Sequence, residues 1–328
     1  MYYIKNDSTN PYFNHSLEEY FIKNFKEECF ILWRNEPCIL IGRNQNTVSE
    51  INVDYVRKNG IKIVRRLTGG GAVFNDLGNI NFTFITNIDE NADNSFIKFA
   101  QPVIDSLNSL GIKAEFSGRN DITVDGKKIS GNARYYYRNR LLHHGTLLFS
   151  GDLSTLRDAL KSKPLKFKGK NIKSVKSRVT NISEHLKADM DVLEFREFLM
   201  QNIIKEHNIK SIYTFSEEDY RRIEDIQKNR FETYEWNYGS SPEFSISNEY
   251  RFPCGTVEMG LDVKDGVIKK LKIYGDFFGK KDISELEMQL YGIRYMYKPI
   301  VSALENTDID DYIQGMNKKE MIEKLLIV

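Results

Sequence analysis

Alternation of apolar and polar positions marks several elements of this chain. In "NINFTFIT", residues 79–86, Ile80, Phe82 and Phe84 alternate with Asn81 and Thr83. A period of two predicts a half-buried strand. The runs "CFILWRN", "CILIGRN" and "IKIVRRLT" read as three earlier strands, and "LLHHGTLLF" as a later one. Ser16-Leu17-Glu18-Glu19 has the form of a capping box and predicts a helix start, with Tyr20, Phe21 and Phe25 on its apolar side. A helical pattern covers roughly 96–110 and stops at Gly111, with Pro102 starting or kinking it. Further helices are expected near 153–160, 192–207 and 216–228. Asp-Gly pairs in "DITVDGKKIS" and "GTVEMGLDVKDGVIKKLKIYGDF" predict two hairpins.

Residues 229–245 are aromatic and turn-rich, which suits a seam between domains better than a loose linker. The expected fold is α+β. A mixed or antiparallel sheet with flanking helices spans 1–243, and a small α+β accessory domain spans 244–328. The chain's 328 residues allow one large domain or two unequal ones. With 47 basic against 46 acidic residues, its charge speaks against a general nucleic-acid binder. Cys29, Cys38 and Cys254 follow no metal or redox spacing, so a cytoplasmic protein is expected. The opening residues show neither the basic nor the apolar region of a signal peptide. No stretch approaches the ~20 apolar residues that span a bilayer, so no membrane partner is expected.

Candidate chemistry begins at "RRLTGGGAV", residues 65–73. No Gly-Lys-Ser/Thr follows, and no GxGxxG opens a helix, so neither common nucleotide loop applies. A turn or bulge is one reading of the three glycines. The other is a wall where a ligand lies directly on backbone, with Arg65 and Arg66 supplying charge for an anion. In the first hairpin, a two-residue turn pairs Val124 with Lys127, Thr123 with Lys128 and Ile122 with Ile129. Asp121, Thr123, Lys128 and Ser130 then share a polar face, which is either a solvated ion pair or a site for phosphate and magnesium. His143 and His144 are neighbours on a strand and cannot chelate one metal together. From Lys161 to Arg178 there are eight basic residues and no acidic one. That run is a solvated face, a loop closing on a polyphosphate, or a landing patch for an acidic protein.

Together "RRLTGGGAVFNDLGNINFTF", "SGRNDI", "KKISGNA", "HHGTLL" and "IKSVKSRVTNI", in this order, resemble a lipoate–protein ligase of the large two-domain type. The resemblance covers nearly the whole chain and is weaker after residue 260. It implies ATP-dependent formation of lipoyl-AMP from lipoate or octanoate. The acyl group then passes to a lysine of a lipoyl carrier domain, on 2-oxoacid dehydrogenase E2 subunits or the glycine cleavage H protein. It also implies a monomer. By the same resemblance Arg66 contacts nucleotide, Gly71, Ala72, Val73 and Phe74 form the ATP-contacting backbone run, and Lys128 touches both lipoyl carbonyl and phosphate. Gly69, Gly70 and Gly71 would lie along the lipoyl chain, and Asp121 resembles the magnesium-side aspartate. A cysteine-dependent octanoyl or lipoyl transferase is the first rival, although no cysteine accompanies the glycine or lysine motifs. A non-catalytic carrier-binding module is the second, and it would not need Arg66, Lys128 and Asp121 together.

Overall fold

A computed structural model gives the fold and describes residues 1–88, 96–160, 179–207, 209, 211–239, 244 and 246–326. The basic run 161–178 and the expected boundary at 243 lie outside the described residues. The strands are β1 (Tyr2–Ile4), β2 (Cys29–Trp33), β3 (Cys38–Ile41), β4 (Lys62–Arg65) and β5 (Val73–Asn75). They continue with β6 (Asn79–Asn87), β7 (Ala114–Ser117), β8 (Asp121–Val124), β9 (Lys127–Tyr137), β10 (Arg140–Leu148) and β11 (Ser211–Tyr213). Last come β12 (Ile246–Phe252), β13 (Gly255–Lys264) and β14 (Val267–Gly275).

The main sheet has eight strands in the order β11-β1-β2-β6-β10-β9-β8-β7. β1 runs parallel to β2 and β11, and the remaining pairs are antiparallel. Helices Phe96–Ser109 and Val192–Glu206 add Phe99, Val103, Phe195 and Leu199 to the core that contains Ile80, Phe82 and Phe84. Helix Pro11–Asn24 adds Leu17 and Phe21 to a second core with Ile31 and Trp33. β6 therefore has packing on both sides. Asn81 and Thr83 are buried too, so the strand is not half-buried as its alternation predicted.

The first helix also starts earlier than expected. Asn10 caps it by accepting from the Tyr12 N–H at 3.0 Å, and Pro11 fills its first turn, where a missing N–H costs nothing. Ser16 lies inside the helix, its hydroxyl donating to the Tyr12 carbonyl at 2.7 Å. Glu18 is thus a buried helix-interior residue rather than part of a cap. Both Asp-Gly turns form as read. Asp125 and Gly126 have φ of 50° and 70°, and Asp265 and Gly266 have 54° and 69°, the double positive φ of a type I′ turn. The first hairpin slips after Thr123–Lys128, because Ile122 pairs with Ser130 rather than Ile129. Ile129 is the extra residue of a bulge. It still packs in the core with Ile122 and Val124.

A smaller sheet, β4-β3-β5, carries the arginine–glycine stretch. Arg65 is buried and clamps this sheet to the seam. Its Nε donates to the Trp236 carbonyl at 2.8 Å, and its Nη1 donates to the carbonyls of Gly42, Arg43 and Gln45. Asn237 accepts from the Arg65 N–H at 2.8 Å. The anion reading of Arg65 therefore gives way to a structural one, since its donors go to backbone carbonyls and the Thr47 hydroxyl. Beyond the seam, the antiparallel sheet β12-β13-β14 has its own core, from Phe252 to Leu325.

This third sheet docks on the glycines. A Cβ on Gly69 would stand 2.3 Å from the Phe277 carbonyl oxygen, and Gly70 has φ of +91° with its N–H bonded to that oxygen at 3.4 Å. Nothing lies within 4 Å of a Cβ on Gly71. Gly69 thus answers to a neighbouring backbone and Gly70 to a left-handed conformation, a reason for glycine at both positions besides the expected ligand contact. Gly69→Ala should lower stability by roughly 1–3 kcal/mol, the cost of overpacking. Gly71→Ala should change it by about 0.5 kcal/mol or less. Denaturant unfolding of both variants checks this, and equal midpoints would contradict the docking contact.

Candidate active site

One cavity of about 350 Å³ opens where the glycine stretch, the first hairpin and the C-terminal sheet meet. Arg66, Gly70, Gly71, Ala72, Val73, Asp121 and Lys128, all singled out from sequence, line it. Gly69 and Phe74 do not. Gly69 faces Phe277, and the Phe74 side chain packs in the core with Ile39 and Ile63. Thr123 and Ser130, expected on the same polar face as Lys128, are buried outside the cavity wall.

The wall grades from buried to exposed. At one extreme His15, Trp33, Leu40 and Asn81 are 0–2% exposed. At the other, the Lys128 and Asp121 side chains are 37% and 34% exposed and form an ion pair at 2.7 Å. The Lys128 backbone is fixed from outside its hairpin, since its carbonyl accepts from the Thr180 N–H at 3.1 Å. That contact sets the hairpin beside the point where the described chain resumes after residue 178.

Arg66 is buried, and its guanidinium is spent on shaping the loop. Nη2 donates to the carbonyls of Gly69 and Gly71 at 2.7 and 2.8 Å, Nη1 to that of Leu40 at 3.1 Å, and Nε to the Thr68 hydroxyl at 3.0 Å. Burial pulls its pKa down to about 10, with the Glu18 charge opposing, so it stays cationic at neutral pH.

From Thr68 a hydrogen-bond chain runs through the cavity wall, and none of it was legible as a motif. The Thr68 hydroxyl meets His144 Nε2 at 2.9 Å. His144 Nδ1 and Glu18 Oε1 are 2.9 Å apart, and His15 Nδ1 and Glu18 Oε2 are also 2.9 Å apart. Thr83 donates to Glu18 Oε1 at 2.7 Å and accepts from the Trp33 indole at 2.9 Å. A carboxylate only accepts, so both histidines carry their proton on Nδ1. Burial alone would raise the Glu18 pKa. His144, then His15, outweigh it and hold the carboxyl well below the usual range. Burial lowers the His15 pKa, so that ring is neutral.

The thiols are placed elsewhere. Cys29, Cys38 and Cys254 are free and buried, and none lines the cavity. Burial pushes the Cys29 thiol up to about 12 and raises the other two.

Two family profiles match the chain: "Lipoyl protein ligase A/B catalytic domain" over residues 10–204 and "Bacterial lipoate protein ligase C-terminus" over 241–325. Lipoate-protein ligase LplJ of Bacillus subtilis is 43% identical, covering 98% of this chain and 99% of its own. The chain belongs to the lipoate–protein ligase family. As a member of that family it is a ligase. A crystal structure of P. falciparum LipL1 in complex with lipoate superposes with a TM-score of 0.76 at 27% identity, covering 99% of this chain and 98% of that one. A lipoate-protein ligase A bound with ATP gives a TM-score of 0.63 at 27% identity, over 73% of this chain and 98% of its own.

The buried network makes stability depend on pH. The folded-state pKa of Glu18 lies below its ordinary 4.5, so its contribution is complete above that value and is lost as pH falls below it. His15 is lowered from 6.5, so the folded state resists a proton that the unfolded chain accepts below that pH. Both push the same way. Unfolding free energy should fall as pH drops from 7 to 4, by about 1 kcal/mol or more. Glu18→Gln should cost about 1–3 kcal/mol at pH 7, by facing an amide N–H towards a donor, and should flatten the acid limb. Denaturant titrations from pH 7 down to about 3 test both statements: the fall above about pH 5 reports His15, and the absence of any further fall below 4.5 would exclude an ionised Glu18.

Proposed function

We propose that this ligase activates lipoate, or octanoate, with ATP and passes the acyl group to a lysine of a lipoyl carrier domain. The carrying observation is one cavity of about 350 Å³ that joins a buried end at Trp33 and Leu40 to a charged mouth at Lys128 and Asp121. A thin apolar chain with a terminal carboxylate fits that gradient, and the mouth suits a triphosphate. The family and the ATP-bound relative support the same reading.

In the first step the lipoate carboxylate attacks the α-phosphorus of ATP. A carboxylate–phosphorus bond forms, the bond to the β-phosphate oxygen breaks, and pyrophosphate leaves with the electron pair. Lys128 holds charge on the phosphate and on the acyl oxygen, where a fixed cation acts on the transition state. Backbone of Gly71, Ala72 and Val73 faces the nucleotide, while Phe74 anchors that run in the core. Arg66 contacts the nucleotide from the cavity wall and also holds Gly69 and Gly71 in place, and Gly70 with Gly71 borders the acyl chain. Asp121 would hold magnesium, because that ion takes few carboxylates and completes its shell with phosphate oxygens and water. The metal would neutralise the triphosphate. In the second step a carrier lysine attacks the acyl carbonyl, AMP departs, and the amine proton passes to solvent.

Carriers on 2-oxoacid dehydrogenase E2 subunits and the glycine cleavage H protein are the expected acceptors, with the enzyme a cytoplasmic monomer. The catalytic domain is assigned to 1–243 and the accessory domain to 244–328. No helix among the described residues is long and apolar enough to cross a membrane. A thioester route is disfavoured, since it needs an accessible thiolate and the three thiols are buried with raised pKa values.

Lys128→Ala should keep the fold, because the side chain is partly exposed, and should lower both pyrophosphate release and transfer by roughly 100-fold. Near-normal turnover at saturating substrate would refute the assignment. Replacing Cys29, Cys38 and Cys254 together with alanine should leave lipoylation of a purified carrier domain largely intact, read by intact mass. Any acyl thioester on the wild-type chain would instead favour the transferase.

A further inference from the structure

The cavity wall is not drawn from the catalytic part alone. Arg251 on β12 and Asp276, just after β14, also line it. The accessory sheet is held there by several ties. Arg119 donates to the Cys254 carbonyl, and its guanidinium lies 4.7 Å from the Phe278 ring centroid. The Gly275 N–H donates to the Asn44 carbonyl at 2.9 Å, and Arg43 pairs with Asp282.

Among the described residues, Arg66, Arg119, Lys128 and Arg251 are the cationic side chains of this wall. Two are committed to protein groups: Arg66 to three carbonyls and a hydroxyl, and Arg119 to the Cys254 and Asp276 carbonyls. Lys128, paired with Asp121 at 2.7 Å, is the cation already assigned to the α-phosphate and the acyl oxygen. Arg251 differs. Its Nη1 donates to Thr256 Oγ1 at 2.8 Å and lies 3.5 Å from Asp276 Oδ2, and its side chain is 60% exposed. Asp276 is itself pinned, since Oδ1 accepts from the Thr256 N–H at 2.5 Å. Asp276 therefore aims an otherwise solvated guanidinium at the cavity without neutralising it in a tight pair.

We propose that Arg251 is the accessory domain's catalytic residue for the activation step. It binds the β- and γ-phosphates of ATP and stabilises the charge that collects on departing pyrophosphate. This deepens the ATP-dependent reading above and rests on it. The planar fork matches a diphosphate, and a donor placed where charge develops acts on the rate. The bond changes are those of the first step: the carboxylate–phosphorus bond forms, the bond to the β-phosphate oxygen breaks, and Arg251 keeps its protons. The second step releases AMP, which has no β-phosphate, so Arg251 has no contact to lose there.

The test uses full-length Arg251→Ala and Arg251→Lys in two assays. One is lipoate-dependent pyrophosphate release from ATP. The other is transfer from supplied lipoyl-AMP to a purified lipoyl domain. Arg251→Ala should lower pyrophosphate release by roughly 100-fold, with transfer within about twofold of wild type, and Arg251→Lys should recover part of the loss. Unchanged release, or equal loss of both half-reactions, overturns the proposal. A wild-type chain that releases no pyrophosphate with lipoate overturns the ATP-dependent reading first, and the proposal with it.

Discussion

A buried carboxylate organises the inner wall of the cavity. Glu18 is 1% exposed, and an isolated charge there would cost several kcal/mol. Donors on His15, His144 and Thr83 offset that cost, and each comes with its own element: the first helix, β10 and β6. Through His144 and Thr68 the same chain reaches Arg66, whose positive charge is also buried. Two buried charges of opposite sign are thus connected by fixed dipoles rather than by contact. Moving any one of these elements would leave a polar group unsatisfied, which is a strong constraint in a low-dielectric interior.

Arg66 carries the constraint outward. Its guanidinium draws the Gly69 and Gly71 carbonyls to one point, and this turns the loop so that Gly69 and Gly70 meet the backbone at Phe277. The glycine stretch is therefore a contact with the accessory domain as well as a cavity wall. Anything bound against Gly71 lies beside the accessory domain. The cavity wall and the contact that seats the accessory domain therefore share one short stretch of backbone.

Local features were readable where the signal is local. Both Asp-Gly turns, the strand at β10 and the helix ending at Gly111 follow from residues a few positions apart. Ser16-Leu17-Glu18-Glu19 has the form of a cap but lies inside the first helix, whose start carries the stronger local signal of Asn10 followed by Pro11. The bulge at Ile129 had no signal, because a one-residue slip depends on how β8 and β9 meet the core behind them. Asn81 and Thr83 read as solvent-facing because alternation reports two unlike faces, and it does not report whether a helix covers the polar one.

The sequence by itself marked β2, β3, β4, β6, β10 and the two Asp-Gly hairpins, the family motifs, and Asp121 and Lys128 at the cavity mouth, but not β1, β5, β7, β11 or β12. Short-range turn chemistry and distinctive spacing carry that information. Tertiary structure decided the inner wall. Glu18 and His144 are 126 positions apart, and Thr68 and His144 are 76 apart, so no local pattern joins them. It also decided that Arg65 is a clamp while Arg66 shapes the loop. Adjacent arginines on a strand leave on opposite faces, and only the packed neighbours determine what each face meets.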